Sequence, residues 1–591
     1  MVYRLAVIDK NKCQPKLCNH ECAKACPINR KNEPCIIIGN KASIDEKLCI
    51  GCRLCIPACP FEAINVINLP EELNTQALHR YSENGFKLFR AVVPIFGKTV
   101  GILGQNGIGK TTMISILAGL TYPDLGEPGK KPDQKEIIKY FKGNEGQLYF
   151  EKLFKNEISI AYKPQYVDAI PKEFKGTVLA LLKKVDKTGK IEEITKELGI
   201  DNILDRKIES VSGGELQRIA IAATILKGAN VMFFDEPSSY LDIKQRINVA
   251  KIISELVNKE TSVNVIEHDL IVLDYIADLV HVMYGKESVY GVVSHPMASK
   301  NGINTYLDGY LRDENMRFRE YAIRYESRPT LRDKGKVPLI AWPEIKKKLG
   351  DFHLDVSEGN ILVNEVVGCL GENGTGKTTF ARILAGELKP DNVKFKEKIK
   401  ISYKPQYIKP ESDLTVAEML ASITKEFGTD DYKMKIIRPL QLERLLDMKL
   451  TELSGGELQR AAIAVCLSRD ADLYLLDEPS AYLDVEQRLI IAKALREFII
   501  QKNASALVID HDLLFLDYIS DRLLVFKGTP ALKGETLGPV SMKEGMNTFL
   551  KKVEITLRRD PETLRPRVNK LGSVLDRLQK EKNEYYYTSA K

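Results

Sequence analysis

Short apolar runs alternate along this chain with segments of helical period. The runs at 100–103, 231–234, 366–370 and 473–476 are of strand length. Those at 100–103 and 366–370 are each followed by a glycine-rich stretch and then by a helical pattern, at 113–117 and 380–384. That strand–loop–helix rhythm predicts an α/β fold for most of the molecule. Between these runs, 133–142 reads as one helix, Gly143-Asn144 as its stop and 147–154 as a second helix. No apolar run approaches 18 residues, so no membrane span is expected. Residues 1–12 carry Arg4, Asp9, Lys10 and Lys12 in place of the apolar stretch of a secretory signal, and the expected location is the cytoplasm.

Length and composition refine this picture. A chain of 591 residues is too long for one core and predicts three or four domains. The apolar share of 44% and charged share of 28% are ordinary for a folded soluble protein. A net charge of +7 hints at acidic partners. Of 11 cysteines, nine fall within the first 60 residues, where disulfides are not expected in a cytosolic chain.

The cysteines form two runs. Cys49-x2-Cys52-x2-Cys55-x3-Cys59-Pro60 matches the bacterial ferredoxin run that holds a [4Fe–4S] cluster, and Cys13-x4-Cys18-x3-Cys22-x3-Cys26-Pro27 is a widened version. In two-cluster ferredoxins the fourth cysteine of each run serves the other cluster. That habit implies Cys13, Cys18, Cys22 and Cys59 on one cluster and Cys49, Cys52, Cys55 and Cys26 on the other, with Cys35 left over. Zinc is the weaker alternative, because its sites use paired cysteines rather than this run. Eight thiolates outweigh two cluster cores, so the loaded protein is less basic than its formal charge and overall charge loses force as an argument for nucleic acid.

The rest of the chain is a tandem repeat. Gly104-Gln-Asn106-Gly107-Ile-Gly109-Lys110-Thr111-Thr112 recurs as Gly371-Glu-Asn373-Gly374-Thr-Gly376-Lys377-Thr378-Thr379, and both are phosphate-binding loops in the strand–helix setting that confirms them. Their backbone N–H groups and helix N-termini favour phosphate. Lys110 and Lys377 are expected at the β/γ-phosphates of ATP, and Thr111 and Thr378 on Mg²⁺. Apolar strands ending in Asp235-Glu236 and Asp477-Glu478 read as Walker B elements, the aspartate holding Mg²⁺ and the glutamate polarising the attacking water. Ser212-Gly213-Gly214-Glu215 recurs as Ser454-Gly455-Gly456-Glu457, and His268 and His511 sit at matched places beyond each Walker B.

These residues resemble the ATP-binding cassette (ABC) ATPases. The resemblance makes the Ser-Gly-Gly segments signature motifs, His268 and His511 switch histidines, and Gln165 and Gln406 the Q-loop residues beside Mg²⁺. It also implies that each ATP lies between the P-loop of one cassette and the signature of the other, with Lys110 facing Ser454 and Lys377 facing Ser212. An aromatic ring stacks on adenine in this family, and Tyr81 and Phe352 are the candidates.

Two features break the symmetry. The first copy carries an insertion within 121–156, a basic, aromatic helix–loop–helix that is either a contact surface or a neutral decoration. After each cassette, Gly302-Ile-Asn-Thr-Tyr-Leu307 matches Gly545-Met-Asn-Thr-Phe-Leu550, and Glu314-x2-Arg317-x-Arg319 matches Glu562-x2-Arg565-x-Arg567, which suggests a two-part hinge. Residues 551–591 hold 11 Lys or Arg against 6 Asp or Glu, either a solvated face or a contact for RNA or protein.

The order of these parts closely resembles the E subfamily of ABC proteins, the RNase L inhibitor or ribosome-recycling ATPases of archaea and eukaryotes. It divides the chain into a ferredoxin-like α+β domain (1–70), a first cassette (71–290), a first hinge part (291–330), a second cassette (331–535) and a second hinge part (536–591). The implied activity is ATP-driven splitting of ribosomes after termination or rescue: closure of the cassettes moves the iron–sulfur domain. The implied partners are the small ribosomal subunit, its rRNA, a release factor or Pelota, and initiation factors. The expected state is a monomer with two [4Fe–4S] clusters, ATP and Mg²⁺. An ATP-gated redox protein and an iron–sulfur assembly ATPase are the alternatives.

Overall fold

The structure, a computed structural model, describes residues 3–10, 12–69, 76–143, 145–325, 337–393, 399–406 and 413–586. The expected boundaries at 70/71 and 330/331, Asn144 of the insert's stop and the last five residues of the second hinge part lie outside the described residues. Two compact units emerge. The first comprises Met1–Ser239, Lys251–His268 and Ile276–Ala322, and the second Tyr240–Ala250, Asp269–Tyr275 and Ile323–Lys591.

The first unit begins with a small α+β module. Strands Tyr3–Ile8 and Ile64–Leu69 pair antiparallel, as do Ile36–Ile38 and Ala42–Ile44, with a short helix Glu21–Ala25 between them in sequence. Its core joins Ala6, Ile8, Ile36, Ile44 and Ile64 to six buried cysteines. So few aliphatic side chains make a thin core, as expected of a module stabilised by what its cysteines bind. Buried Asn84 of the following cassette ties the module down. Its amide donates to the carbonyls of Ala6 and Ile44 at 3.0 and 2.9 Å and accepts from the Ile44 N–H at 2.9 Å. Glu46 of the module adds ion pairs to Arg80 (3.1 Å) and Lys87 (2.8 Å).

The remainder of the first unit is built on a nine-stranded sheet. Along its main path the strands run His79–Arg80, Lys87–Phe89, Tyr290–Val293, Leu279–Lys286, Thr99–Gly104, Ser262–Ile266, Val231–Asp235 and Ile160–Lys163. The last five of these are parallel neighbours, and the inner three, Thr99–Gly104, Ser262–Ile266 and Val231–Asp235, are buried throughout, as a sheet covered on both faces requires. The second unit repeats the order with Ile345–Leu349, Phe352–Val356, Lys533–Ser541, Arg522–Thr529, Val366–Leu370, Ser505–Ile509, Leu473–Asp477 and Ile401–Lys404. In both sheets the loop-bearing strand lies centrally, so the phosphate loop rises from the carboxyl end of the sheet, where α/β proteins bind ligands.

The insert forms helices Gln134–Tyr140 and Glu145–Phe154. Asp133 and Glu136 close a reciprocal cap on the first. Ile137, Phe141, Tyr149 and Phe150 are buried in the core of the first sheet, and Phe141 and Phe150 stack at 4.7 Å. These rings therefore serve packing, and the exposed part of the insert is mostly charged.

The matched tail helices, Ser299–Asp308 and Met542–Lys552, lie tight on their sheets. A Cβ on Gly302 would fall 2.9 Å from Val280 Cβ, and one on Gly545 would fall 2.7 Å from Leu523 Cβ, so only glycine permits this approach. Beyond the helices the tails diverge. In the second unit, Arg567 forms a forked pair with Asp274 (2.7 and 2.9 Å), joined by fully buried Arg565 at 3.5 Å. Arg559 forks onto Asp517 (2.8 and 2.9 Å), which also accepts from the Tyr586 hydroxyl. In the first tail Arg317 is exposed, and Arg319 donates to the carbonyls of Leu307 (3.0 Å) and Tyr321 (3.1 Å).

Candidate functional site

Each phosphate loop ends in a left-handed glycine that caps the following helix, Gly109 (φ +92°) before Lys110–Leu117 and Gly376 (φ +98°) before Lys377–Leu384. A Cβ at these glycines would meet Phe86 Cζ and Leu354 Cδ1, both at 2.7 Å, so conformation and space both demand glycine. Lys110 Nζ donates to the carbonyls of Gly104 (2.7 Å) and Gln105 (2.8 Å) and to Asn106 Oδ1 (3.3 Å). Lys377 Nζ donates likewise to Gly371 (2.9 Å) and Glu372 (2.8 Å). Burial pushes the Lys377 ammonium down, against the pull of Glu478, Asp242 and Asp477.

The Walker B carboxylates meet these loops. Thr111 Oγ1 donates to Asp235 Oδ2 at 3.2 Å and Thr378 Oγ1 to Asp477 Oδ2 at 2.7 Å, so the hydroxyl and carboxylate expected on Mg²⁺ already touch. Burial raises Asp235, and raises Asp477 to about 6. Burial also acts upward on Glu478, but the His511 hydrogen bond and the charges of His511 and Lys377 outweigh it and leave that carboxyl below its ordinary value. Gln165 and Gln406 donate to the glutamates, Nε2 to Glu236 Oε1 at 2.7 Å and to Glu478 Oε1 at 2.6 Å. His268 Nε2 lies 3.5 Å from Glu236 Oε1 and 3.1 Å from Lys110 Nζ, and His511 Nε2 lies 3.4 Å from Glu478 Oε1. In each copy the structure thus gathers Lys, Thr, Asp, Glu, Gln and His into one network at the carboxyl edge of a sheet.

The signature serines start helices Gly213–Leu226 and Gly455–Ser468. Both make a capping box with the glutamate three residues on: Ser212 N and Oγ donate to Glu215 Oε2 at 2.7 and 2.8 Å, and Ser454 N and Oγ to Glu457 Oε2 at 2.8 and 2.7 Å. One carboxylate oxygen accepts both bonds in each copy, which gives glutamate a physical reason at this place. Gly213, Gly214, Gly455 and Gly456 follow as the open first turns of these helices, with their N–H groups available to an anion.

The two aromatic candidates are not equivalent. Tyr81 is 59% exposed, and its hydroxyl lies 2.7 Å from Thr112 Oγ1, beside the first loop. Phe352 lies against Gly376, 3.1 Å from the place of a Cβ there. Its counterpart in the first copy is Phe86, which abuts Gly109, so the sequence reading missed Phe86. The signal was available in Phe86-x-Leu88 and Phe352-x-Leu354, each immediately before or within a strand of the same rank.

The cysteines line two cavities. Cys13, Cys18, Cys22 and Cys59 face one, and Cys26, Cys49, Cys52 and Cys55 the other, where Cys35 joins them. Backbone N–H groups of Ala42 and Ala63 point at Cys13 Sγ and Cys59 Sγ, both at 3.4 Å, the kind of bond that supports cluster sulfurs. Burial, and then the neighbouring thiols Cys59, Cys18 and Cys13, push Cys22 up, and burial takes Cys55 to about 12. Bound iron reverses that balance by ionising the thiols that ligate it. The donor set therefore fits iron–sulfur clusters. Among the described residues no group of three such side chains is gathered tightly enough for a single ion.

Comparison with known proteins agrees with this geometry. Residues 96–239 and 351–481 match the ABC transporter family, residues 3–34 a possible Fer4-like domain in RNase L inhibitor, and residues 42–65 the 4Fe-4S binding domain. The chain is 54% identical over 590 residues to an uncharacterized ABC transporter ATP-binding protein of Methanocaldococcus jannaschii, covering 99% of this chain and 97% of that one. It is 43% identical to translation initiation factor RLI1 of Saccharomyces cerevisiae, over 99% and 98% of the two chains. A solved structure described as ribosome-bound archaeal Pelota and ABCE1 contains a chain with 50% identity and a TM-score of 0.93, covering 99% of this chain and all of that one.

Proposed function

This chain belongs to the E subfamily of ABC proteins, the RNase L inhibitor family, and from that premise we propose that it is a cytoplasmic ribosome-recycling ATPase that splits ribosomes into subunits after termination or rescue. The chain is an ATPase with 4Fe–4S binding sequence at its N-terminus. No helix among the described residues is long and apolar enough to cross a membrane, and the reading requires none. What carries it is the end-to-end likeness, at 99% of this chain, to a protein solved with Pelota on the ribosome.

In the proposed mechanism Lys110 and Lys377 leave their loop carbonyls for the β/γ-phosphates. Thr111 with Asp235, and Thr378 with Asp477, would hold Mg²⁺, with Gln165 and Gln406 as further ligands, and the ion would supply positive charge against the phosphates. Glu236 and Glu478 orient and polarise the attacking water, and His268 and His511 hold the glutamate and sense the γ-phosphate. Tyr81 and Phe352 stack on adenine. Ser454-Gly455-Gly456 completes the site of Lys110, and Ser212-Gly213-Gly214 that of Lys377. ATP then favours the closed pair, because only that state contacts each nucleotide from both sides. Closure moves the cysteine module against a release factor or Pelota; the quartets Cys13, Cys18, Cys22, Cys59 and Cys49, Cys52, Cys55, Cys26 would each hold a [4Fe–4S] cluster, which would brace the module. The moving parts are the cysteine module, the two cassettes and the tails; the expected limits at 290/291 and 535/536 fall inside strands Tyr290–Val293 and Lys533–Ser541 of the cassette sheets, so the tails begin after those strands, and rRNA of the small subunit, with initiation factors, provides the later partners.

The test is sedimentation of ribosomes with this protein, ATP, and a release factor or Pelota. Free subunits are expected. The Glu236→Gln, Glu478→Gln double variant should remain ATP-loaded on small subunits. If it neither occludes ATP nor binds subunits, the proposal fails.

A further inference from the structure

Each Walker B strand ends in a turn that no motif explains. Glu236 and Glu478 adopt left-handed backbone conformations, φ +47° and +48°, which bulky side chains rarely take. The turn carries the carbonyls of the Asp-Glu pair out of the sheet ladder, and buried carbonyls need donors. In both copies a buried lysine supplies them. Lys163, at the end of strand Ile160–Lys163, has no exposed surface, and its Nζ donates to the carbonyls of Asp235 (2.8 Å) and Glu236 (3.2 Å). Lys404, at the end of Ile401–Lys404, donates to Asp477 (2.8 Å) and Glu478 (3.3 Å). A glutamine of the signature helix grips the same glutamate carbonyl, Gln217 at 2.8 Å and Gln459 at 2.6 Å. The glutamate N–H is held as well, by Ile266 (2.9 Å) and Ile509 (2.8 Å).

We propose that Lys163 and Lys404 are positioning residues: each fixes the strained backbone of the Walker B glutamate so that its carboxylate aims at the water. The proposal rests on the ATPase reading above, and it adds a contact outside the nucleotide itself. The ammonium suits this place for a steric and an electrical reason. Its three donors serve two carbonyls from one atom, as no neutral side chain of that length does. It also stands among the carboxylates of Asp235, Glu236 and Glu267, or of Asp477, Glu478 and Asp510, whose charge it offsets as its own burial works against it. The lysine occurs two residues before the Q-loop glutamine, which bonds the same glutamate at its carboxylate. Backbone and side chain of the glutamate are thus held by one short segment, and the signature helix grips it from the other side.

The experiment uses the full-length, cluster-loaded protein with Lys163→Met and Lys404→Met together. Methionine keeps the length and apolar stem and removes the donors. If the lysines position the glutamate, kcat falls about 10²-fold while KM for ATP and ADP affinity stay within about threefold of wild type. A kcat within about twofold of wild type, or a KM that rises in step with the loss, overturns the proposal. Should the pair unfold early in a thermal melt, Lys163→Met and Lys404→Met are made singly and read by the same split in single-turnover hydrolysis; a fall in rate at constant ATP affinity supports the grip, and an unchanged rate overturns it. Glu236→Gln with Glu478→Gln runs alongside. If that control hydrolyses ATP as wild type does, the glutamate role falls and the positioning role with it; if it is inactive and the lysine pair is not, only the positioning role falls.

Discussion

The two cassettes share every motif residue, yet their surroundings differ. In the second, Glu372 stands within the phosphate loop where the first has Gln105, and it forms ion pairs with Lys552 (2.6 Å) and Lys244 (3.4 Å). Lys552 closes the tail helix Met542–Lys552, so in this unit the loop is bonded to the tail. The place of Lys552 in the first tail is Gly309, whose left-handed φ of +70° ends the helix and which has no side chain to offer. The aspartates of the matched helices Leu270–Ile276 and Leu513–Ile519 tell the same story. Both Asp274 and Asp517 are held by arginines of the second tail, whereas Arg319 of the first bonds carbonyls near its own helix. Chemistry is repeated, and mechanical attachment is not.

The strongest way to break this comparison is at the glutamates. Glu236→Gln and Glu478→Gln, made singly, should each lower hydrolysis at their own site by about 10²–10⁴-fold, the usual worth of a positioned general base. Single-turnover hydrolysis with labelled ATP reads this. Near-wild-type rates in either variant would remove that glutamate from the chemistry and make the likeness of the two networks misleading.

Motifs made the chemical half of this comparison legible from sequence, because catalytic groups must recur at fixed spacing: Lys110, Thr111, Asp235, Glu236 and His268 each have a partner in the second copy. The cysteine quartets were readable for the same reason. Attachment was not. Asp274 meets Arg565 and Arg567 from nearly 300 residues away, and nothing local marks such a pair. The insert reads equally as a contact surface or a neutral decoration, and sequence could not show that Phe141, Tyr149 and Phe150 satisfy their apolar area inside the first sheet's core. Phe86 emerges only when Phe86-x-Leu88 is set against Phe352-x-Leu354, since two residues alone make no motif, and Lys163 carries no sign of its burial because lysine is almost never fully buried.

The tail aspartates come next in size. Asp274→Asn takes from fully buried Arg565 its ion-pair partner, leaving only the attraction of Asp560, and breaking a buried pair costs about 3–5 kcal/mol. Chemical unfolding followed through the sole tryptophan, Trp342, which packs on Phe380 in the second core, should report that loss. Asp517→Asn should destabilise the same unit, since Arg559 and Tyr586 both depend on it. Arg319→Gln, in the first tail, should leave the Trp342 transition unmoved. A shift there as large as that of Asp274→Asn would mean the two tails are attached alike.

Smaller effects belong to the rings. Removing a base-stacking aromatic costs about 1–3 kcal/mol. Phe352→Ala should weaken ATP binding by that amount at the second site. At the first site the loss is expected from Tyr81→Ala, which reaches Thr112, and Phe86→Ala separates stacking from support of Gly109. If Phe86→Ala alone abolishes binding there, the matched ring, and not the exposed tyrosine, carries adenine.

The finest test concerns Lys552. Its pair with Glu372 is partly exposed, and such pairs contribute about 0.2–1 kcal/mol. Yet the pair stands in a loop built for phosphate, where a carboxylate left with only its longer pair to Lys244 (3.4 Å) repels the ligand more. Lys552→Met should therefore weaken ATP binding at the second site by less than about fivefold, with the first site unchanged. Glu372→Gln removes the charge and its need together, making the second loop like the first, and should restore the affinity lost in Lys552→Met. A double-mutant cycle on ATP affinity, with the first site emptied by Lys110→Ala, measures the coupling. Zero coupling would leave the tail bonded to the loop without influence on the nucleotide. A coupling of the expected sign would make the second cassette the one whose nucleotide state reaches its tail through a direct ion pair.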